Sequence, residues 1–193
     1  MVAAVIMASG SSKRIGVNKL LLPYKGKCLI EHLLDVIIKC DFSKIILVAK
    51  DKAVIDLGKK RGIEVIYNKH ADKGQSEAIK LGIQNSLNAS GYAFLAGDQP
   101  FIDCEMLNLL ITNFSTNSDA IIVPTYKEKR GTPVIFPNNY QKELLNLKGD
   151  VGGKAVINAH LDKVKYVEVN SSEQLWDIDT LDDYEKIINH IRS

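Results

Sequence analysis

Val2-Ala-Ala-Val-Ile-Met7-Ala-Ser-Gly10-Ser-Ser-Lys-Arg14-Ile-Gly16-Val-Asn-Lys19 opens the chain and decides how the rest is read. Residues 2–7 are apolar without a break, the pattern of a strand buried on both faces of a sheet. The run ends in Ala8, Ser9, Gly10, Ser11 and Ser12, small residues that let backbone N–H groups approach an anion closely. Arg14 then offers planar paired donors and Lys19 a compact charge, both suited to phosphate oxygens. The spacing is not G-x-x-x-x-G-K-[ST], because Gly10 and Gly16 stand too far apart, and it is not G-x-G-x-x-G.

Downstream, apolar residues alternate between strand and helix periods. Helical spacing marks residues 29–39, 52–61, 75–87 and 104–114, and strand-like runs mark 44–49, 63–67, 92–96 and 120–124. Strands separated by helices imply crossover connections, hence a mostly parallel sheet covered on both faces. After Pro124 the pattern changes. A charged turn at 127–131 leads into 132–136, which reads as an antiparallel ribbon. Short helices at 140–147 and 153–160, strands at 164–169 and around 176–178, and a closing helix at 181–192 complete the chain. With no internal repeat or linker, residues 1–193 are expected to form a single domain.

The 193 residues are 46% hydrophobic and 25% charged, which excludes disordered and low-complexity classes. No apolar run approaches the ~20 residues of a membrane helix, and no basic n-region opens a signal peptide. A membrane partner is therefore not expected, and the location is expected to be cytoplasmic. Three cysteines (Cys28, Cys40, Cys104), far apart in sequence, fit neither a disulfide framework nor a metal-binding spacing, and read as small buried hydrophobes. A formal net charge of +2 excludes a general nucleic-acid binder. Its distribution is uneven: residues 1–30 hold five basic and no acidic side chains, whereas 168–185 hold seven acidic and no basic ones. That polarity matches a site with one end gripping phosphates and the other helping to hold a divalent cation.

In an open parallel sheet, ligands bind beyond the carboxyl ends of the strands. Asp98, in Gly97-Asp-Gln-Pro100, emerges there, as a ligand for a hard cation or as a cap for the following helix. Asp103 is the better cap. A second carboxylate is sought in Trp176-Asp-Ile-Asp-Thr180. Alternation along a strand end would point Asp177 and Asp179 to opposite faces, so one of them is expected to face the site. Thr180 with Asp183 reads as a helix start, which makes Asp182 and Asp183 partners of the helix dipole.

The chain resembles the MobA-like nucleotidyltransferases, in particular the molybdenum cofactor cytidylyltransferase and molybdenum-hydroxylase accessory branch. The resemblance is carried by the Met7–Lys19 signature, the Lys19-Leu-Leu-Leu-Pro…His32 run, Gly74-Gln-Ser76, Gly97-Asp-Gln-Pro100, Gly131-Thr-Pro-Val134, Gly149-Asp-Val-Gly-Gly-Lys154 and Asp177-Ile-Asp-Thr180. It implies a three-layer α/β/α Rossmann-like nucleotidyltransferase fold with a mostly parallel mixed sheet. It also implies Mg²⁺-dependent transfer of CMP from CTP to the terminal phosphate of a molybdopterin-type cofactor, with release of pyrophosphate.

On this resemblance Ala8, Ser9, Gly10, Ser11, Ser12, Arg14 and Lys19 hold the triphosphate, with Gln75 and Ser76 at the base or ribose. Arg14, Lys19 and Asp98 are the catalytic set, and Asp98 with Asp179 holds Mg²⁺. Thr132, Asp150 and Lys154 face the pterin-phosphate acceptor, and a client molybdenum hydroxylase is a further implied partner. Ser9 stands where cytidylyl enzymes carry Ala and guanylyl enzymes Gly, and Ala78 stands where a second Ser is expected, so GTP remains an alternative to CTP. Another phosphorylated acceptor and a non-catalytic cofactor-handling protein are the competing readings. A glycosyltransferase is disfavoured because no Asp-x-Asp follows a mid-chain strand.

Overall fold

A computed structural model describes residues 1–10 and 16–190. The elements run β1 (Val2–Ala8), β2 (Pro23–Tyr24), β3 (Lys27–Cys28), α1 (Leu29–Ile37), β4 (Lys44–Ala49), α2 (Lys52–Lys60), β5 (Glu64–Tyr67), α3 (Gln75–Gln84) and β6 (Gly91–Ala96). They continue with α4 (Cys104–Thr116), β7 (Ile121–Tyr126), β8 (Lys129–Arg130), β9 (Val134–Pro137), α5 (Gln141–Leu145), α6 (Lys154–Ala159), β10 (Val164–Glu168) and α7 (Leu181–His190).

Among the described residues the main sheet has strand order β10-β7-β9-β6-β1-β4-β5, with β8 hairpinned onto β7. β1 pairs in parallel with β4 and β6, which explains its unbroken apolar run, because side chains on both faces are covered. Ala4, Ile6 and Ala8 pack on one face with Ile30, Leu33 and Leu34 of α1, Val54 of α2, and Met106 and Leu110 of α4. Ala3 and Val5 pack on the other with Ile79 and Ile83 of α3, Leu144 of α5, and Val156 and Ile157 of α6. The result is an α/β/α arrangement, as the alternating periods predict. Fully burying one such Leu or Ile side chain is worth ~1.5–3 kcal/mol, which adds to the two parallel ladders that hold β1.

Two expectations are corrected by the fold. The antiparallel ribbon is divided: Lys129–Arg130 closes the hairpin with β7, while β9 pairs antiparallel mainly with β6. Residues 176–178 form no strand. The chain follows a 3-10 turn at Glu173–Leu175 into an irregular segment anchored by Ile178, which is 1% exposed and donates its N–H to the Asp98 carbonyl. One such bond to a loop builds no ladder.

Candidate active site

The site lies beyond the carboxyl ends of β1 and β6. Gly97 N–H donates to the Met7 carbonyl at 3.2 Å, so the turn after β6 is tied to the end of β1. This carries Asp98 beside the loop that follows β1, and Asp98 is 7% exposed. Lys19 begins a 3-10 turn capped by the Asn18 side chain, which accepts from Leu20 N–H. Its ammonium forms an ion pair with Asp98 and lies 2.9 Å from Asp179 Oδ1. Burial pulls the Lys19 pKa down, but Asp98 and Asp179 outweigh it and the net shift is upward. Lys19 is therefore held as a cation between two carboxylates.

Asp177 also faces this group, contrary to the opposite-faces expectation. That expectation required a strand. In the irregular segment Ile178 turns inward to pack with Tyr24, Leu29 and Ile187, and both flanking carboxylates reach the field of Asp98. Desolvation and repulsion from Asp98 and Asp179 push the Asp177 carboxyl well above the ordinary carboxylate range, against Lys19 and a hydrogen bond from Gln99. Asp177 itself is exposed, which tempers its desolvation and leaves repulsion from Asp98 and Asp179 as the firmer cause of the upward direction. Gln99 is 1% exposed, and its Nε2 also donates to the Thr132 carbonyl at 3.4 Å. It thus bridges the acidic segment to the loop before β9, a link that no local sequence signal announces.

Beside this group opens a cavity of about 260 Å³, lined by Met7, Ser9, Gly10, Lys19, Leu20, Ala71, Gly74, Gln75, Ala78, Gly97, Asp98 and Asp150 among others. Ser9 Oγ donates back to the Val48 carbonyl, so its hydroxyl is turned into the sheet. Asp150 Oδ1 accepts from Gln75 N–H at 3.3 Å, and Gly149 O accepts from Ser76 N–H at 3.1 Å. The loop before α6 is thereby fastened across the first turn of α3. Gly74 permits this contact: its φ is +100°, and a Cβ there would come within 2.5 Å of Gly149 O and 2.6 Å of Asp150 N.

The structure therefore gathers Ser9, Gly10, Lys19, Gln75, Asp98 and Asp150 around one cavity, with Asp179 joined through Lys19. Ala8 is buried at the end of β1, and Ser76 is fully enclosed without lining the cavity. Ala78, where a second Ser is expected, presents a methyl to the cavity wall. Thr132 lies on the Gln99 side of the acidic group, and Lys154 is exposed at the start of α6. Ser11, Ser12 and Arg14 lie outside the described residues. Asp103 accepts from Met106 N–H at 2.8 Å, and Thr180 and Asp183 exchange bonds at the start of α7, so both act as helix caps.

The donors fit a hard divalent cation: carboxylate oxygens converge where Lys19 already places a positive charge. Among the described residues no three His, Cys, Asp or Glu side chains form a ready-made metal cluster. An ion bound here would have to complete its shell with water or ligand phosphates. No described helix is long and apolar enough to cross a membrane.

Residues 4–164 match the model of the MobA-like NTP transferase domain. The chain belongs to that family. It is 25% identical over 198 residues to the purine catabolism protein PucB of Bacillus subtilis (strain 168), covering 95% of this chain and 94% of the relative. It is 27% identical over 210 residues to a probable molybdenum cofactor guanylyltransferase of Methanosarcina mazei, covering 98% and 91%. Among solved structures, the crystal structure of Rv0371c from Mycobacterium tuberculosis H37Rv superposes with a TM-score of 0.84 at 25% identity, covering 97% of each chain. Family membership makes the chain a nucleotidyltransferase of the MobA-like type and agrees with the α/β Rossmann-like fold.

Proposed function

We propose that residues 1–193 act as a single-domain cytoplasmic enzyme that transfers CMP from CTP to the terminal phosphate of a molybdopterin-type cofactor, releasing pyrophosphate. The observation that carries this reading is the Lys19 ammonium held between Asp98 and Asp179 at the mouth of a cavity walled by Ser9, Gly10, Gly74 and Gln75. Phosphates belong at the Lys19 end, where Ser9 and Gly10 also line the cavity, and Ala8, Ser11, Ser12 and Arg14 are proposed to bind them as the family signature implies. The Asp150 carboxylate repels phosphate and accepts hydrogen bonds, so the opposite end suits the base and ribose. Asp150 thus moves from the acceptor to the nucleotide side of the proposal, leaving Thr132 and Lys154 toward the acceptor.

Asp98 and Asp179 would hold Mg²⁺, which supplies Lewis-acid polarisation of the phosphates when bound. The acceptor phosphate monoester has a second pKa of about 6 and is largely a dianion at neutral pH. It attacks the α-phosphorus directly, the bond to the bridging oxygen breaks, and pyrophosphate leaves with the electron pair. No protein base is required. Lys19 and Arg14 offset the charge gathering on the leaving group, and one such preorganised donor is worth ~3–4 kcal/mol of barrier.

CTP is assigned from the Gly97-Asp-Gln-Pro100 and Gly131-Thr-Pro-Val134 context. GTP is the second reading, favoured by relatives described as probable molybdenum cofactor guanylyltransferases. A molybdenum hydroxylase is the proposed client of the product. Calorimetric titration with CTP, GTP, ATP and UTP, with and without Mg²⁺, tests the assignment. Magnesium-dependent preference for CTP supports it, preference for GTP replaces the base and keeps the chemistry, and absence of nucleotide binding overturns it.

A further inference from the structure

Cys40 and Cys104 are 64 residues apart in sequence, yet the fold brings their sulfurs to 2.7 Å, unbonded. Cys40 follows α1 and is 9% exposed, whereas Cys104 is the first residue of α4 and is half-buried. The contact is held from both sides. Cys40 Sγ donates to the Val36 carbonyl at 3.3 Å, and Cys104 Sγ to the Lys39 carbonyl at 3.5 Å. Asp41 N–H donates to Asn108 Oδ1 at 3.2 Å, and Asn108 Nδ2 lies 3.6 Å from Cys104 Sγ. The end of α1 is thus docked against the first turn of α4, with two thiols meeting at the seam. None of these residues lines the nucleotide cavity.

We infer that Cys40 and Cys104 form a modification site, a dithiol that a hydroperoxide converts to an intrachain disulfide. Burial pushes the Cys40 thiol well up, and the neighbouring Cys104 adds to the shift, so Cys40 is the poorer first nucleophile. Cys104, the more open of the two, attacks a peroxide oxygen as the thiolate. The O–O bond breaks, a sulfenic acid forms, and the departing oxygen takes a proton. Cys40 then gives up its proton and its sulfur attacks that of Cys104, expelling hydroxide, which leaves as water. Two thiols lose two electrons, and one hydrogen peroxide becomes two waters. The product staples α1 to α4, the helix that follows the Asp98 loop. Cys28 lies at the opposite end of the nine-residue α1, a helix about 13.5 Å long at 1.5 Å per residue, and serves as an internal control.

The test is treatment of the full chain with stoichiometric hydrogen peroxide, followed by thiol counting under denaturing conditions, intact mass and peptide mapping. The expected result is a fall from three free thiols to one, a loss of two mass units, and a Cys40–Cys104 cross-link that dithiothreitol reverses. The oxidised protein should melt roughly 5–10 °C higher, because the bond closes a long loop in the unfolded chain. In Cys40→Ser the chemistry should stop at a Cys104 sulfenic acid that dimedone traps. Retention of three thiols in the native chain, oxidation of Cys28 first, or intermolecular dimers without the intrachain link would overturn the inference. These wild-type readouts decide it even where the variant does not fold.

Discussion

Substituting Gly74 by Ala probes the contact that joins the first turn of α3 to the loop before α6. The native φ of +100° with ψ of −176° lies in a region held almost only by glycine, and a side chain there costs ~1–3 kcal/mol. The new Cβ also collides with the Gly149–Asp150 backbone, which can yield only by withdrawing the loop. Withdrawal breaks the bonds from Ser76 N–H to Gly149 O and from Gln75 N–H to Asp150. Those bonds are worth ~1 and ~1.5 kcal/mol, and restriction of the unfolded chain offsets ~0.4–1. The net is about 4 kcal/mol. For a chain of this length that lowers the melting temperature by roughly 8–16 °C.

Gly62→Ala is the control, since its φ is +70° but nothing lies within 4 Å of an added Cβ. It should lose only ~1 kcal/mol, or roughly 2–4 °C. Circular dichroism melts of the two variants separate steric collision from backbone strain alone. If Gly74→Ala melts within about 3 °C of wild type, or no lower than Gly62→Ala, the close-approach reasoning is wrong.

Asp98→Asn keeps the shape of the side chain but removes its charge; pyrophosphate release should fall at least ~100-fold with little change in melting temperature. Thr180→Ala removes one half of the reciprocal cap of α7 and should cost ~1 kcal/mol in urea unfolding, without altering nucleotide affinity. Arg61 bonds both Glu31 and Asp35; the Glu31 pKa is lowered first by the Cys28 N–H and then by Arg61, and the Asp35 pKa chiefly by Arg61. Their contribution is complete above the unfolded carboxylate values near 4 and is lost as pH falls through the lower folded values. Arg61→Met should therefore reduce stability at pH 7 by ~1–3 kcal/mol, with the gap to wild type closing toward pH 2, as followed by thermal melts across pH.

Elements whose order rests on local period were legible. β1, β4 and β6 announce themselves as apolar runs because both faces of each are covered, and Gly62 marks the end of α2 through its left-handed backbone. The segment at 176–178 was misread because Trp176 and Ile178 alternate with acids as a strand would. Their partners are Tyr24 of β2, the start of α1, the Asp98 loop and α7, contacts that no local period encodes. The two-sided reading of Asp177 and Asp179 failed for the same reason. Gln99 and the Cys40–Cys104 pair depend on contacts 33 and 64 residues apart, which only the assembled fold supplies. Lys19 and Asp98 were legible because each follows a buried strand and emerges at the same sheet edge.

The antiparallel β9 sits between β6 and β7, in the middle of the sheet, although it is among the last strands made. During synthesis β1, β4, β5 and β6 can pair in parallel as soon as residue 96 has emerged. From then until Val134 arrives, β6 is an open edge: Tyr92, Ala93, Phe94 and Leu95, all buried in the finished sheet, border a row of unpaired backbone groups. A ribosome-released fragment ending near residue 130 would carry that edge permanently and offer it to its own copies. The late strand thus acts as the molecule's stopper against self-association, closing the seam from the inside.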